Sequence, residues 1–229
     1  MSKPGKLPNY LAIEGNIGAG KTTLAQKLAD DFGARLILEQ FTDNPFLPLF
    51  YEHPERYGFS VELFFMTERH KQLQQDLAQQ DLFQENLVAD YFFIKTLLFA
   101  KNNLTGEEYR LFQRLFTILN GTFPKPDVLL YLHRPVPQLL RQIEKRGRGM
   151  ESDITSDYLR GIQGAYFEYF RTERTFPVII LDLEDADFFS DHSTYEAIVQ
   201  LLSQPHPPGI NHVPLEALLR AGSSRKSNT

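Results

Sequence analysis

Tyr10-Leu-Ala-Ile-Glu-Gly-Asn-Ile-Gly-Ala-Gly-Lys-Thr-Thr23 decides the fold. Its first four residues are a short, continuously apolar run, which is how a strand buried on both faces of a parallel sheet reads. From Gly15 to Thr22 it satisfies G-x-x-x-x-G-K-[ST]. Leu24, Leu28 and Phe32 follow at four-residue spacing, so the loop opens an amphipathic helix. A strand, a glycine-rich loop and a helix in that order form the context this phosphate-binding motif requires. The glycines let the backbone N–H groups of Gly15, Asn16, Ile17, Gly18, Ala19, Gly20, Lys21, Thr22 and Thr23 curl around phosphate, and the helix N-terminus adds a favourable dipole. Lys21 is placed to reach the β and γ phosphates, and Thr22 to offer a hydroxyl to Mg²⁺.

Working outward, similar apolar runs recur at Leu36–Leu38, Leu87–Ala89, Val128–Leu132 and Val178–Leu181, which gives five strands. Helical stretches lie between them. One runs from Pro54 to about Gln80, with Val61, Phe64, Phe65 and Glu68 at helical spacing near its start. Another opens on the capping-box pattern Thr105-Gly-Glu-Glu108 and ends at Asn120-Gly121. Two more cover Pro135–Arg146 and Thr155 to about Arg174. This alternation predicts an α/β three-layer fold of the P-loop NTPase type, a five-stranded parallel sheet flanked by helices. Residues 1–203 read as the P-loop domain. Residues 204–229, with Gln204-Pro-His-Pro-Pro-Gly209 and a polar end, read as an arm with one small helix and a partly disordered tail.

Composition narrows the function. Among 229 residues there is no cysteine, which excludes thiolate metal sites, disulfides and cysteine nucleophiles. A net charge of −5 leaves no global field to hold a nucleic acid polymer, so any phosphate site is local. No apolar run reaches the ~20 residues of a membrane span, and the polar start is unlike a secretory signal. A cytoplasmic location is expected. The aromatic content, 19 Phe and 10 Tyr, exceeds what one core readily accounts for, and a helix–helix dimer interface is one outlet for it.

Glu39 closes the second strand at the carboxyl edge, where open α/β sheets bind ligands. A carboxylate there can orient an acceptor hydroxyl and take its proton. Lys145-Arg-Gly-Arg-Gly149 reads either as an arginine-bearing lid over a transferring phosphoryl group or as a basic helix end.

Ile13–Thr22, the strand-end Glu39, Phe50-Tyr-Glu-His-Pro-Glu-Arg-Tyr57 and the spacing Arg141-x4-Arg146-x-Arg148-x2-Glu151 together resemble the deoxynucleoside kinases. The resemblance spans about Tyr10 to Asp187. It implies ATP-dependent phosphorylation of a deoxynucleoside 5′-hydroxyl with Mg²⁺, and a homodimer. By position, Glu39 takes the place of the base on the 5′-hydroxyl. Tyr51 and Glu151 match the pair that holds the 3′-hydroxyl. Arg146 and Arg148 match lid arginines on the donor phosphates, and Asp187-Phe188 falls where a loop lies against the donor adenine.

Two departures stand out. Eleven residues after Tyr51 the family usually has a glutamine, and this chain has Glu62, an acceptor on both oxygens when ionised. Guanine presents two donors and suits it, so a purine is favoured. Arg69, two turns further on, matches a base-contacting position in some members, or else it pairs with Glu62. After the third strand the chain reads Val88-Ala-Asp90-Tyr91-Phe92. Asp90 remains available to Mg²⁺, directly or through water, but the family arginine near the 5′-hydroxyl is missing. Lys95, one turn down the next helix, is the candidate to replace it. Two alternatives are a nucleoside monophosphate kinase and a non-catalytic nucleotide-binding P-loop module. Around Tyr51 to Glu62 the acids Glu52, Glu55 and Glu62 face Arg56 alone, a poor setting for an acceptor phosphate.

Overall fold

The computed structural model describes residues 6–39, 44–78, 86–148, 151 and 153–226. Six parallel strands form one sheet in the order β2-β3-β1-β4-β5-β6. They are β1 (Tyr10–Gly15), β2 (Arg35–Ile37), β3 (Leu87–Ala89), β4 (Val128–His133), β5 (Pro177–Asp182) and β6 (Gly209–Pro214). The helices are α1 (Lys21–Phe32), α2 (Leu47–Glu52), α3 (Pro54–Ala78), α4 (Ile94–Asn103), α5 (Gly106–Asn120), α6 (Val136–Arg146), α7 (Ser156–Thr172), α8 (His192–Leu202) and α9 (Leu215–Lys226).

Because side chains alternate across a strand, the apolar runs supply two cores. Leu11, Ile13, Leu130, Leu132, Ile179 and Leu181 face one side, against Leu24 and Leu28 of α1, Leu139 and Ile143 of α6 and Ile198 of α8. Ala12, Leu129, Tyr131, Val178 and Ile180 face the other, against α3, α4, α5 and α7. This second core absorbs much of the aromatic content. Phe93 stacks on Phe116 at 5.3 Å, and Tyr131 packs on Tyr166 at 5.0 Å. A dimer interface is therefore not needed to account for these aromatics.

Several expectations are corrected. The sheet has six strands, not five. The sixth comes from the segment expected to be an arm: Gly209–Pro214 pairs along β5 from Pro177↔Gly209 to Asp182↔Pro214. It is an edge strand whose exposure alternates, so it has no continuous apolar run to announce it. Pro214 is tolerated there because an edge strand has one unpaired side. The small helix foreseen near Leu215 is α9. Thr105 does not cap α5 through its side chain, whereas Thr155 does cap α7, accepting from the Tyr158 N–H. α2 and α8 were not foreseen. Gln80, Gly149 and the last residues of the tail, 227–229, lie outside the described residues. Among the described residues no helix is long and apolar enough to cross a membrane.

Candidate active site

The loop between β1 and α1 follows from its glycines. Gly20 lies at φ +97°, in the region that L side chains rarely adopt, and a Cβ there would come within 2.9 Å of Phe188 Cζ. Asn16 is buried and ties the loop to α7: its Nδ2 donates to the Leu159 carbonyl at 2.8 Å, and its Oδ1 accepts from the Ile17 N–H. Lys21 Nζ donates to the carbonyls of Gly15 and Asn16, at 2.9 and 3.0 Å. Burial, then the neighbouring Lys95 charge, pushes the Lys21 ammonium down to about 8. An anionic ligand in the loop would oppose both effects.

Asp90, at the end of β3, joins this loop to the next strand. Its Oδ2 accepts from Thr22 Oγ1 and its Oδ1 from the Glu39 N–H, both at 2.6 Å. Glu39 is buried and doubly ion-paired. Lys95 Nζ lies 2.5 Å from its Oε2, and Arg69 approaches Oε1 through Nε at 2.8 Å and Nη2 at 2.7 Å. Burial alone would raise this carboxyl, but the Lys95 and Arg69 charges together outweigh it. Glu39 is held well below the usual carboxylate range. Arg69 therefore pairs with Glu39 and Thr96 rather than with Glu62, which corrects one of the two readings of Arg69.

A single cavity of about 1040 Å³ runs from the glycine loop to Glu62. Two helix faces shape its far half. On α3, Glu62, Phe65 and Arg69 line it; on α4, Lys95, Phe99 and Asn103 do so. Spacings of three or four residues place each set on one helix face. The result is three layers: cations around Glu39, then the rings of Phe65 and Phe99, then Glu62 with Asn103. Arg69 sits over the Phe65 ring at 5.1 Å and Lys95 over Phe99 at 5.3 Å, so each cation is steadied by the ring below it. The Glu62 carboxyl is buried, accepts from Asn103 Nδ2 at 2.5 Å through Oε1, and is pushed up to about 7 by burial.

α2 supplies a side wall with Leu47, Phe50 and Tyr51. Tyr51 is pushed up to about 12, first by burial and then by the nearby Glu151 carboxylate. The basic stretch after α6 also opens on the cavity. Gly147, at φ +67°, ends the helix with its N–H bonded to the Ile143 and Glu144 carbonyls, which sets Arg146 and Arg148 on either side of a left-handed turn. Arg146 donates to Glu151, and Arg148 Nη1 lies 3.6 Å from the same carboxylate. Arg141 is exposed, pairs with Asp185 and does not line the cavity.

The cavity thus gathers Ile17, Gly18, Ala19, Gly20, Lys21, Thr22, Thr23, Glu39, Tyr51, Glu62, Arg69, Asp90, Arg146, Arg148 and Glu151. Gly15 and Asn16 support the loop from beneath. Asp187 and Phe188 do not line it. Phe188 is buried against Gly20, and Asp187 accepts from the Phe189 N–H in its own turn. Arg134 clamps this segment, donating to the carbonyls of Ala19, Glu184 and Ala186. Sequence reasoning missed Phe99, Asn103 and Tyr158. The four-residue spacing Lys95, Phe99, Asn103 was the available signal for the first two.

A parallel sheet, a Lys-Thr glycine loop at a helix N-terminus and a buried carboxylate facing it define a P-loop phosphotransferase with a second, partly apolar site. A family model for deoxynucleoside kinase matches residues 11–205, and the chain belongs to that family: it is a kinase that phosphorylates a nucleoside. The chain is 34% identical over 194 residues to deoxyguanosine kinase of Bacillus subtilis, covering 82% of this chain and 93% of that protein. It is 30% identical over 205 residues to deoxyadenosine/deoxycytidine kinase of the same organism, covering 85% and 92%. The fold is that of deoxyadenosine kinase from M. mycoides with bound dATP, with TM-score 0.73 and 24% identity over 85% of this chain and 100% of the other.

Proposed function

We propose that the chain transfers the γ-phosphoryl group of ATP to the 5′-hydroxyl of a deoxynucleoside, with purines favoured, releasing ADP. The continuity of one cavity from Lys21 through Glu39 to Glu62 carries this reading, because donor phosphates and acceptor nucleoside then meet at the Glu39 carboxylate. Lys21 leaves the Gly15 and Asn16 carbonyls for the β and γ phosphates. Thr22 and Asp90 would hold a Mg²⁺: a hydroxyl and a carboxylate are the hard oxygen donors that this ion prefers, and the two lie within hydrogen-bond distance of each other. When bound, Mg²⁺ supplies neutralisation of phosphate charge.

Glu39 orients the 5′-hydroxyl and takes its proton. A strongly ionised carboxylate is a weak base, but phosphoryl transfer runs through a loose transition state, where positioning and charge stabilisation matter more than base strength. Lys95 supplies a cation near the 5′-hydroxyl in place of the missing arginine, and Arg69 holds the carboxylate from its other side. Tyr51 and Glu151 hold the 3′-hydroxyl. Arg146 and Arg148 close on the donor phosphates, which frees Glu151 from its arginines for that hydroxyl. Phe188 supports the glycine loop from behind, and Asp187 stays exposed in the turn beside it. A homodimer and a cytoplasmic setting belong to the same proposal. Leu111 and Ile118, exposed on α5, are apolar groups an interface would cover.

ADP release from Mg-ATP, measured with each of the four deoxynucleosides and their monophosphates, tests the reading. Turnover with a deoxynucleoside is expected. Turnover with monophosphates alone would overturn it in favour of a monophosphate kinase, and ATP binding without any turnover would leave a nucleotide-binding module. The acceptor half argues against a phosphate, since Arg69 and Lys95 are both engaged by Glu39.

A further inference from the structure

One polar atom in the cavity has no role in the chemistry above. Glu62 is 2% exposed, and its Oε2 has no hydrogen-bond partner among the described residues. Its other oxygen is fixed by Asn103 Nδ2, which also lies 3.3 Å from the Tyr158 hydroxyl, so the carboxylate plane is held from two helices. A buried carboxylate oxygen without a donor is costly in an empty site, and its cost is relieved by a ligand that brings one.

The position of this atom restricts what that ligand is. Arg69 and Lys95 mark the end of the cavity where the hydroxyl reacts. Glu62 is seven residues from Arg69 on α3, and Asn103 eight from Lys95 on α4, or about 10.5 and 12 Å of helix. Phe65 and Phe99 lie between as apolar walls suited to a ring system. That span and layering match a nucleoside laid lengthwise, with its 5′-oxygen at Glu39 and the far edge of its base at Glu62.

We infer that Glu62, fixed by Asn103, is the residue that selects guanine. An ionised carboxylate offers acceptors only, one on each oxygen towards the same ligand edge. Of the four DNA bases, guanine alone presents two adjacent donors, N1–H and the 2-amino group. Adenine turns a lone pair at N1 towards Oε2, cytosine presents one amino donor beside an acceptor, and thymine one N–H between two carbonyls. The inference rests on the deoxynucleoside kinase reading and adds the residue and the base to it.

The test compares kcat/KM for deoxyguanosine, deoxyinosine, deoxyadenosine and deoxycytidine in the unmodified protein and in Glu62→Gln. Deoxyinosine keeps N1–H and lacks the 2-amino group. Loss of one charge-assisted hydrogen bond is expected to lower kcat/KM by about 10- to 100-fold, giving the order deoxyguanosine, deoxyinosine, deoxyadenosine. Glu62→Gln, which offers one donor and one acceptor, should weaken deoxyguanosine and move the preference towards deoxyadenosine and deoxycytidine. A residue that merely shaped the fold would lower all four together. Equal use of deoxyguanosine and deoxyinosine by the unmodified protein overturns the inference without recourse to a variant, and so does a preference order that Glu62→Gln leaves intact. Use of pyrimidines alone overturns it while leaving the kinase reading standing. If no deoxynucleoside turns over, the kinase reading fails by itself. Calorimetric binding of deoxyguanosine against deoxyinosine then decides Glu62 separately, and indifference between them overturns the inference.

Discussion

Lys95 Nζ lies 2.5 Å from Glu39 Oε2, and the two side chains come from different segments, α4 and the loop two residues past β2. Both are almost fully buried, so their interaction is little screened. The ammonium is the strongest of the charges that keep the Glu39 carboxyl ionised against burial. Lys95→Met removes that charge at similar volume. The Glu39 pKa then rises, and the acid limb of the kcat/KM profile for the deoxynucleoside moves to higher pH. At neutral pH kcat should fall by about 10²- to 10³-fold, the scale of losing one preorganised donor at a developing charge. Lys95→Arg should recover part of it. An unmoved acid limb in Lys95→Met would show that the lysine does not govern Glu39.

Glu39→Gln separates positioning from proton acceptance. The amide keeps the shape and can still orient a hydroxyl, but it cannot take the proton. Turnover should drop by about 10²- to 10⁴-fold while ATP binding is retained. Arg69 and Lys95 are left as buried cations without their carboxylate, which costs about 3–5 kcal/mol of stability. A lower melting temperature should therefore accompany the lost activity, and nucleotide binding has to be measured well below it. Turnover within a few-fold of the parent would remove Glu39 from the reaction.

How much of this was legible depends on which side of the backbone the information lay. The glycine loop, Glu39 and the first five strands announce themselves locally, through glycine spacing and continuous apolar runs. β6 does not, because Gly209–Pro214 alternates at an edge. Asn103 was invisible for another reason. Its significance depends on α4 packing antiparallel to α3, a tertiary relationship that brings it to Glu62, 41 residues away in the chain. Arg69 shows the limit most clearly: its place on the same helix as Glu62 suggested a local pair, but the fold presents Glu39, a partner 30 residues away, on its other flank.

Phe188 tests support of the glycine loop from behind. It is buried, with Cζ in the space that a Gly20 Cβ would need. Phe188→Ala should cost about 3–5 kcal/mol, the usual range for a buried phenylalanine. It should also raise KM for ATP more than KM for the deoxynucleoside, because the loop loses its backing and the acceptor half does not. Equal changes in both constants would count against that role. Gly20→Ala should fail more severely, since φ +97° is itself unfavourable for alanine.

Glu62 couples selectivity to stability through its titration. Burial, helped by repulsion from Glu39, raises its pKa from 4.5 in an open chain to about 7, against the opposing charges of Arg69 and Lys95 and the Asn103 hydrogen bond. A carboxyl raised in the folded state binds more protons there than in the unfolded chain. Its stabilising contribution is therefore complete below pH 4.5 and is lost as pH rises through about 7. Glu62→Gln removes this loss, so its melting temperature should pull ahead of the parent's between those two values and stay ahead at pH 8. Deoxyguanosine has the opposite need, because two donors are best met by the ionised form. In the parent its kcat/KM should fall below about pH 7, while in Glu62→Gln that limb should be absent. Thermal melts across pH, with and without saturating deoxyguanosine, check both halves. A melting difference that is flat across pH would show that Glu62 does not titrate in this range. A site built to discriminate by an unmet charge is less stable without its ligand, and Glu62 is where this kinase carries that cost.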